Sequence, residues 1–252
     1  TQQLKMSPEE HLAHIKQTID YALSKDFTVN LYLEDWSSGM RDSRDYLFMM
    51  MDELVKLPIK RFLLPDTLGI LNPLQCVEYM RQMVRRYPNS HFDFHAHNDY
   101  DLAVSNSLAA VLSGAKGLHV TVNGLGERCG NAPLASVQVI LKDMFGAKTN
   151  IKEDRLNDIS RLVEGYSGIA VAPNTPVVGD NVFTQVAGVH ADGDNKDKLY
   201  CNDLVPERFG RHREYALGKN SGKANIVQNL NELGLELTPE QTKAVTKRIT
   251  EL

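Results

Sequence analysis

The sequence predicts an α/β fold built on parallel strands, and three observations carry that expectation. Strand-like and helix-like segments alternate through residues 1–147. The strand-like segments begin roughly every 30 residues, the spacing of βαβ units. The runs between them carry helix-start signals and apolar positions three and four apart. Parallel strands joined by right-handed crossovers follow. Four strand–helix units are legible, after one unpaired helix. Four units do not close a barrel, so they make half of an eight-fold β/α barrel or a small open sheet. Either way, ligands belong at the carboxyl ends of the strands.

The elements follow in order. In "SPEEHLAHIKQTIDYALSK", Ser7 caps, Pro8 takes the first helical position and Glu10 completes a capping box. Leu12, Ile15, Ile19 and Leu23 form its apolar stripe. "FTVNLYLED" reads as a strand rich in β-branched and aromatic residues, and a helix over 43–57 follows. "IKRFLLPDT" is a strand ending in a turn, and Asn72 and Pro73 open the next helix. "HFDFHAH" is a strand, and the helix after it closes at Gly114. "GLHVTVN" is the fourth strand, with a glycine-rich turn and the helix "APLASVQVILKDMF" beyond it.

The rhythm changes near residue 147. Residues 149–168 read as helical, and 169–194 as an irregular connection rich in Gly, Pro and Asn. Two helices close the chain; Ser221 is the expected cap of the first, Thr238 of the second. The expected domains are therefore 1–147, a barrel-like portion, and 148–252, a mainly helical appendage.

Composition narrows the function classes. The 252 residues carry a formal charge of −4, with 42% hydrophobic and 24% charged residues, as in ordinary globular chains. The charge gives no basic patch for nucleic acid. No apolar run reaches the ~20 residues of a membrane span, and no signal peptide is legible. Cys76, Cys129 and Cys201 are scattered without CxxC pairing, which suits a reduced, cytoplasmic setting.

Four groups of residues carry candidate chemistry. Asp93, His95 and His97 alternate onto one face of a strand, while Phe92, Phe94 and Ala96 take the other. Two imidazoles at a strand's carboxyl end suit a metal, although hydrogen-bonded histidines would give the same string. "NGLGERCGN" gathers Asn123, Glu127, Arg128 and Asn131 among glycines; an ordinary turn is the alternative. Glu34, Asp35, Asp66 and Thr67 sit at the ends of the two preceding strands and would face the same mouth. His190 and Tyr200, in the irregular segment, could exchange a proton.

Together, "HAHNDYDLAVSNSLAAVLSGA", "VNGLGERCGNAPL", "LPDTLG", "GVHADG" and "LGKNSGK" resemble the acyl-CoA-dependent condensing enzymes that include 2-isopropylmalate, homocitrate and citramalate synthases. The stretches keep the family's order and cover nearly the whole chain. The GER string, where the related hydroxymethylglutaryl-CoA lyases carry a cysteine-bearing loop, favours the synthase branch. The resemblance implies a (β/α)8 TIM barrel, of which this chain holds about the C-terminal half. It implies His95, His97 and Asn131 as ligands of Mg²⁺, Mn²⁺ or Zn²⁺, and Thr67, Asn98 and Asp99 as substrate-binding residues. It also implies catalytic roles for Glu34, near the acetyl-CoA methyl group, and for His190 and Tyr200, a proton-transfer pair supplied by the partner of a homodimer. The implied reaction is condensation of acetyl-CoA with a 2-oxo acid, 2-isopropylmalate synthesis in leucine biosynthesis being the first expectation. Homocitrate or citramalate synthesis, or a fragment that only binds metal, are the alternatives. The family's Asp–Arg–Glu string of the first barrel strand is not in this sequence, which starts at Thr1. Half the barrel is thus expected to be missing, the fragment alone to be inactive, and an apolar sheet face to be bared.

Overall fold

The computed structural model describes residues 5–187, 193, 201–219 and 221–251. The chain divides into two compact units, Thr1–Val137 and Gln138–Leu252.

The first unit holds a four-stranded parallel sheet in sequential order. Its strands are β1 (Asn30–Tyr32), β2 (Arg61–Asp66), β3 (Phe92–Ala96) and β4 (Gly117–His119). Helix α1 (Pro8–Leu23) precedes β1. Helices α2 (Trp36–Asp42) and α3 (Arg44–Leu54) link β1 to β2; α4 (Pro73–Arg86) and α5 (Ala103–Leu112) make the next two crossovers. Capping boxes open α1 at Ser7 with Glu10 and α4 at Asn72 with Gln75.

Helix α2 is the element the sequence conceals. "WSSGMRD" has glycine and two serines in seven residues, so its propensity is poor. It forms because Trp36 and Met40 are buried, which outweighs propensity. Trp36 meets Tyr79 and Phe94 edge-on, both at 6.3 Å. That contact joins α2, α4 and the helix-facing side of β3. Phe92, Phe94 and Leu64 complete this buried side.

The opposite face is not apolar, contrary to the sequence-based expectation. Arg61, Asp93, His95 and His119 point there, with Tyr32. A sheet whose second face is this polar needs no greasy cover.

The second unit contains the rest of helix α6 (Leu134–Phe145), then α7 (Leu156–Ser167), α8 (Lys223–Glu232) and α9 (Pro239–Thr250). The division thus falls inside α6. Two two-residue strands, β5 (Thr184–Gln185) and β6 (Glu214–Tyr215), pair in parallel. Pairs that short leave no periodicity to read. Arg208 binds Asp143 at 2.9 Å and the buried Glu153 at 3.0 Å, and Lys142 reaches Glu153 at 2.6 Å. Glu153 is thereby held ionised; burial opposes this, and the hydrogen bonds from Arg208 and Lys142 prevail. The cap of α8 is Gly222, not Ser221. The Ser221 hydroxyl instead accepts from Gly218 N at 2.8 Å and closes the preceding turn.

Among the described residues no helix is long and apolar enough to cross a membrane.

Candidate active site

The carboxyl ends of all four strands meet in the first unit. After β3 the chain runs through His97, and the loop after β4 folds back on it. His97 and Asn131 form an antiparallel bridge, Asn98 N donates to Gly130 O at 2.9 Å, and Ala132 N to Ala96 O at 3.2 Å. Sequence positions more than thirty apart are thus placed side by side. Asn131 is held from both ends: its amide nitrogen donates to Leu125 O at 3.0 Å, and its backbone N to Gly124 O at 2.9 Å. Gly126 is needed here, because a Cβ on it would collide with the Asn131 carboxamide.

The rings of His95 and His97 lie 5.0 Å apart at 88°. His95 Nδ1, His97 Nδ1 and Asn131 Oδ1 are buried, and none has a hydrogen-bond partner. A buried polar atom left unpaired costs on the order of 1–3 kcal/mol. Three of them lie in neighbouring residues, and two imidazole nitrogens with one amide oxygen are a donor set that fits a divalent cation of borderline character. Among the described residues no group of three or more His, Cys, Asp or Glu is placed to hold a metal; this set includes an amide and falls outside that description.

His95 is pushed down to about 4, by burial first and then by the neighbouring His97 and His119, with a hydrogen bond to the backbone of His119 pulling the other way. Its ring is therefore neutral at physiological pH, as a ligand must be. ¹⁵N NMR across a pH titration is expected to show His95 neutral until pH approaches 4. Because the folded value lies below the unfolded one, about 6.5, the unfolded chain alone gains the proton as pH falls from about 6.5 towards 4. Stability is thus retained above that window and declines through it. A His95 signal titrating near 6.5 would contradict this.

The rim is tied loop to loop. Thr67 Oγ1 donates to Glu34 Oε1 at 3.0 Å and accepts from Asp35 N at 3.0 Å. Arg128 donates to Asp99 through Nε at 2.7 Å and Nη2 at 3.0 Å, and also to Thr67 O at 2.7 Å. This fork holds the Asp99 carboxyl below the usual carboxylate range. One chain of contacts, Glu34–Thr67–Arg128–Asp99, joins the ends of all four strands.

Three sequence-expected residues sit differently from a simple mouth lining. Asn98 is occupied locally: its Oδ1 accepts from Ala103 N at 3.0 Å and its Nδ2 donates to Asp101 at 3.1 Å, so it builds the turn into α5. Asp66 is not at the mouth. Its carboxylate is buried and accepts from Ile70 N at 2.9 Å and Leu71 N at 3.1 Å; burial raises its pKa against these bonds. Asp35 occupies the N-cap position of α2 with a left-handed backbone, φ 56°, and its side chain makes no capping hydrogen bond. His190 and Tyr200 lie outside the described residues.

Tyr32 and His119 were missed by the sequence reading. Their rings are 6.1 Å apart and each is 6.1 Å from the His95 ring. Strand alternation was the available signal, since both lie on the face that His95 occupies. Burial, and then the charge of Glu34, raises the Tyr32 hydroxyl to about 12, so it stays protonated.

The family model described as HMGL-like matches residues 1–163. The chain belongs to the HMGL-like family. Residues 177–252 match the model for a homocitrate synthase post-HMGL domain. A Methanopyrus kandleri protein named as an (R)-citramalate synthase is 36% identical over 252 residues, 99% of this chain and 48% of the relative. A second Methanopyrus kandleri protein, named as a 2-isopropylmalate synthase, is 38% identical over 249 residues, 99% and 49%. A homocitrate synthase of Saccharolobus islandicus is 38% identical over 245 residues, 97% and 52%. This HMGL-like chain therefore spans about half the length of the curated relatives it matches. Among solved structures, the HMG-CoA lyase of Pseudomonas aeruginosa aligns with a TM-score of 0.59 at 18% identity, over 68% of this chain and 59% of that one. The Bacillus subtilis HMG-CoA lyase gives 0.58 at 23%, over 66% and 58%. At these identities the likeness is one of fold.

Proposed function

We propose that this chain supplies the C-terminal half of a (β/α)8 barrel, residues 1–147, with an appendage over 148–252, in an enzyme that condenses acetyl-CoA with a 2-oxo acid. The observation that carries the reading is the set of three unpartnered buried atoms, His95 Nδ1, His97 Nδ1 and Asn131 Oδ1. The names of the relatives, all 2-oxo-acid condensing synthases in this reading, support it.

His95, His97 and Asn131 would hold Mg²⁺, Mn²⁺ or Zn²⁺. Bound there, the ion would polarise the carbonyl of the oxo acid and offset the negative charge that grows on its oxygen. Thr67 would donate to the substrate carboxylate once its hydroxyl turns from Glu34. Glu34, released from Thr67, would sit beside the methyl group that loses a proton. Asp99 and Arg128 would keep these loops in place, and Asn98 would keep the turn that presents His97. His190 and Tyr200 would pass the proton from the partner subunit of a homodimer.

A 2-isopropylmalate-type reaction in leucine biosynthesis is the first reading. Tyr32 favours a second: a ring 41% exposed beside His95 leaves less space than a small residue would, which suits pyruvate and citramalate synthesis. The test is thiol release from acetyl-CoA by the full-length protein against pyruvate, 2-oxoisovalerate and 2-oxoglutarate. Release with one of them is expected; none with any would refute the condensation. Tyr32→Ser is expected to raise kcat/KM for 2-oxoisovalerate relative to pyruvate about tenfold, roughly the worth of one methylene in a pocket. An unchanged ratio would remove Tyr32 from substrate selection.

A further inference from the structure

We propose that Asp99 and Arg128 are positioning residues that set the spacing between the candidate metal ligands His97 and Asn131, an inference that rests on the metal reading above. Neither ligand lies in the ladder of the sheet. His97 follows the last residue of β3, and Asn131 lies twelve residues beyond the end of β4. A short antiparallel pairing of the two loops sets the distance between them instead. It runs from Ala132 N and Ala96 O, 3.2 Å, through the bridge between His97 and Asn131, to Asn98 N and Gly130 O, 2.9 Å. Among the described residues no main-chain hydrogen bond joins the two loops beyond that point. Main-chain bonding alone leaves this end of the pairing free to splay.

The side chains of Asp99 and Arg128 close it. Arg128 Nε donates to Asp99 Oδ1 at 2.7 Å and Nη2 to Asp99 Oδ2 at 3.0 Å. Two bonds between planar groups fix orientation as well as distance. Nη2 also donates to Thr67 O at 2.7 Å, which moors the closed end to the loop after β2. That loop is shaped to receive it. Gly69 has φ 60°, and a Cβ there would lie 2.8 Å from Asp99 Oδ2 and 3.0 Å from Asp99 N. Arg128 takes a left-handed backbone, φ 55°, which costs a residue that carries a Cβ. The Arg128 side chain is 38% exposed and that of Asp99 20%. An ion pair so open to water adds little to the stability of a fold. Its effect is local: it holds the ends of two loops, and on each loop a candidate ligand stands two or three residues away. Neither side chain would touch the cation.

The test uses the full-length protein and four variants: Asp99→Ala, Arg128→Ala, the two combined, and Arg128→Lys, which keeps the charge and loses the fork. Mn²⁺ affinity is read by EPR. Amide hydrogen exchange is read by NMR without metal at Asn98, whose N–H meets Gly130, and at Tyr87, whose N–H meets Met83 at the end of α4. Asp99→Ala and Arg128→Ala are each expected to weaken Mn²⁺ binding about 10- to 100-fold and to speed exchange at Asn98 but not at Tyr87. The combined variant is expected to lose no more than the weaker-binding single one, because the fork is one unit. Arg128→Lys is expected to bind more weakly than wild type, since an ammonium cannot reproduce the fork. Wild-type affinity in either alanine variant would overturn the inference while leaving the metal reading intact. Losses that add in the combined variant would also overturn it, since the two residues would then act separately. Wild-type affinity in Arg128→Lys would do the same, because charge alone would then suffice. Exchange that rises equally at Tyr87 would mark a general loosening and overturn it too. Wild-type protein that takes up no Mn²⁺ would overturn both readings. Where circular dichroism shows that Arg128→Ala fails to fold, the cycle is built on Arg128→Lys instead.

Discussion

Replacing His97 with alanine in the full-length protein is expected to abolish stoichiometric metal uptake and to lower thiol release by about a thousandfold or more. The size follows from the role assigned. Polarisation by a bound cation supplies several kcal/mol to the transition state, and about 4 kcal/mol is a factor near 10³ in rate. The structural cost should be small by comparison. The His97 ring is partly exposed, and its Nδ1 has no partner to lose. Its backbone N donates to Asp66 O at 3.3 Å, a bond that alanine retains. The expected pattern is therefore a folded protein with lost metal and lost turnover. Metal analysis, circular dichroism and an acetyl-CoA assay read the three quantities separately. Full activity in the alanine variant would refute the assignment of the centre.

Trp36→Ala should produce the opposite pattern, a loss of stability of about 3–5 kcal/mol. Trp36 is 1% exposed, between Tyr79 and Phe94. Alanine would leave a cavity among α2, α4 and β3 that rigid neighbours cannot fill. Trp36→Phe should cost much less, because the indole Nε1 is buried without a partner and its removal forfeits no hydrogen bond. Denaturant unfolding followed by circular dichroism distinguishes the two. Equal losses in both would mean that the contact geometry, not the filled volume, governs this part of the core. Phe94 precedes His95 on β3, so a residual effect of Trp36→Ala on Mn²⁺ affinity is also expected.

The parts legible in the sequence are those governed by local chemistry. The capping box at Ser7 and the caps at Asn72 and Thr238 form as read, the last two completed as boxes by Gln75 and Gln241. The alternation of β3 separates Phe92 and Phe94 from Asp93 and His95 correctly, because pleating fixes it. Helix α2 was hidden because its seven residues owe their shape to Trp36 and Met40, not to propensity. Asp66 was misplaced because a strand-end acid can face the mouth or turn back to cap its own loop, and only the folded loop shows Ile70 and Leu71 claiming it. Asn131 was placed with the histidines by resemblance alone; spacing could not reveal the bridge to His97 that brings it there. Tyr32 and His119 escaped because alternation assigns faces within one strand, whereas only the register between strands brings these two beside His95.

The tie between Arg128 and Thr67 runs through a carbonyl oxygen, which every amino acid possesses. Side-chain drift at position 67 therefore leaves the loop anchored, whereas position 99 answers to position 128 through a carboxylate fork that few other pairs can reproduce. Positions 99 and 128 are therefore expected to tolerate exchange only as a couple.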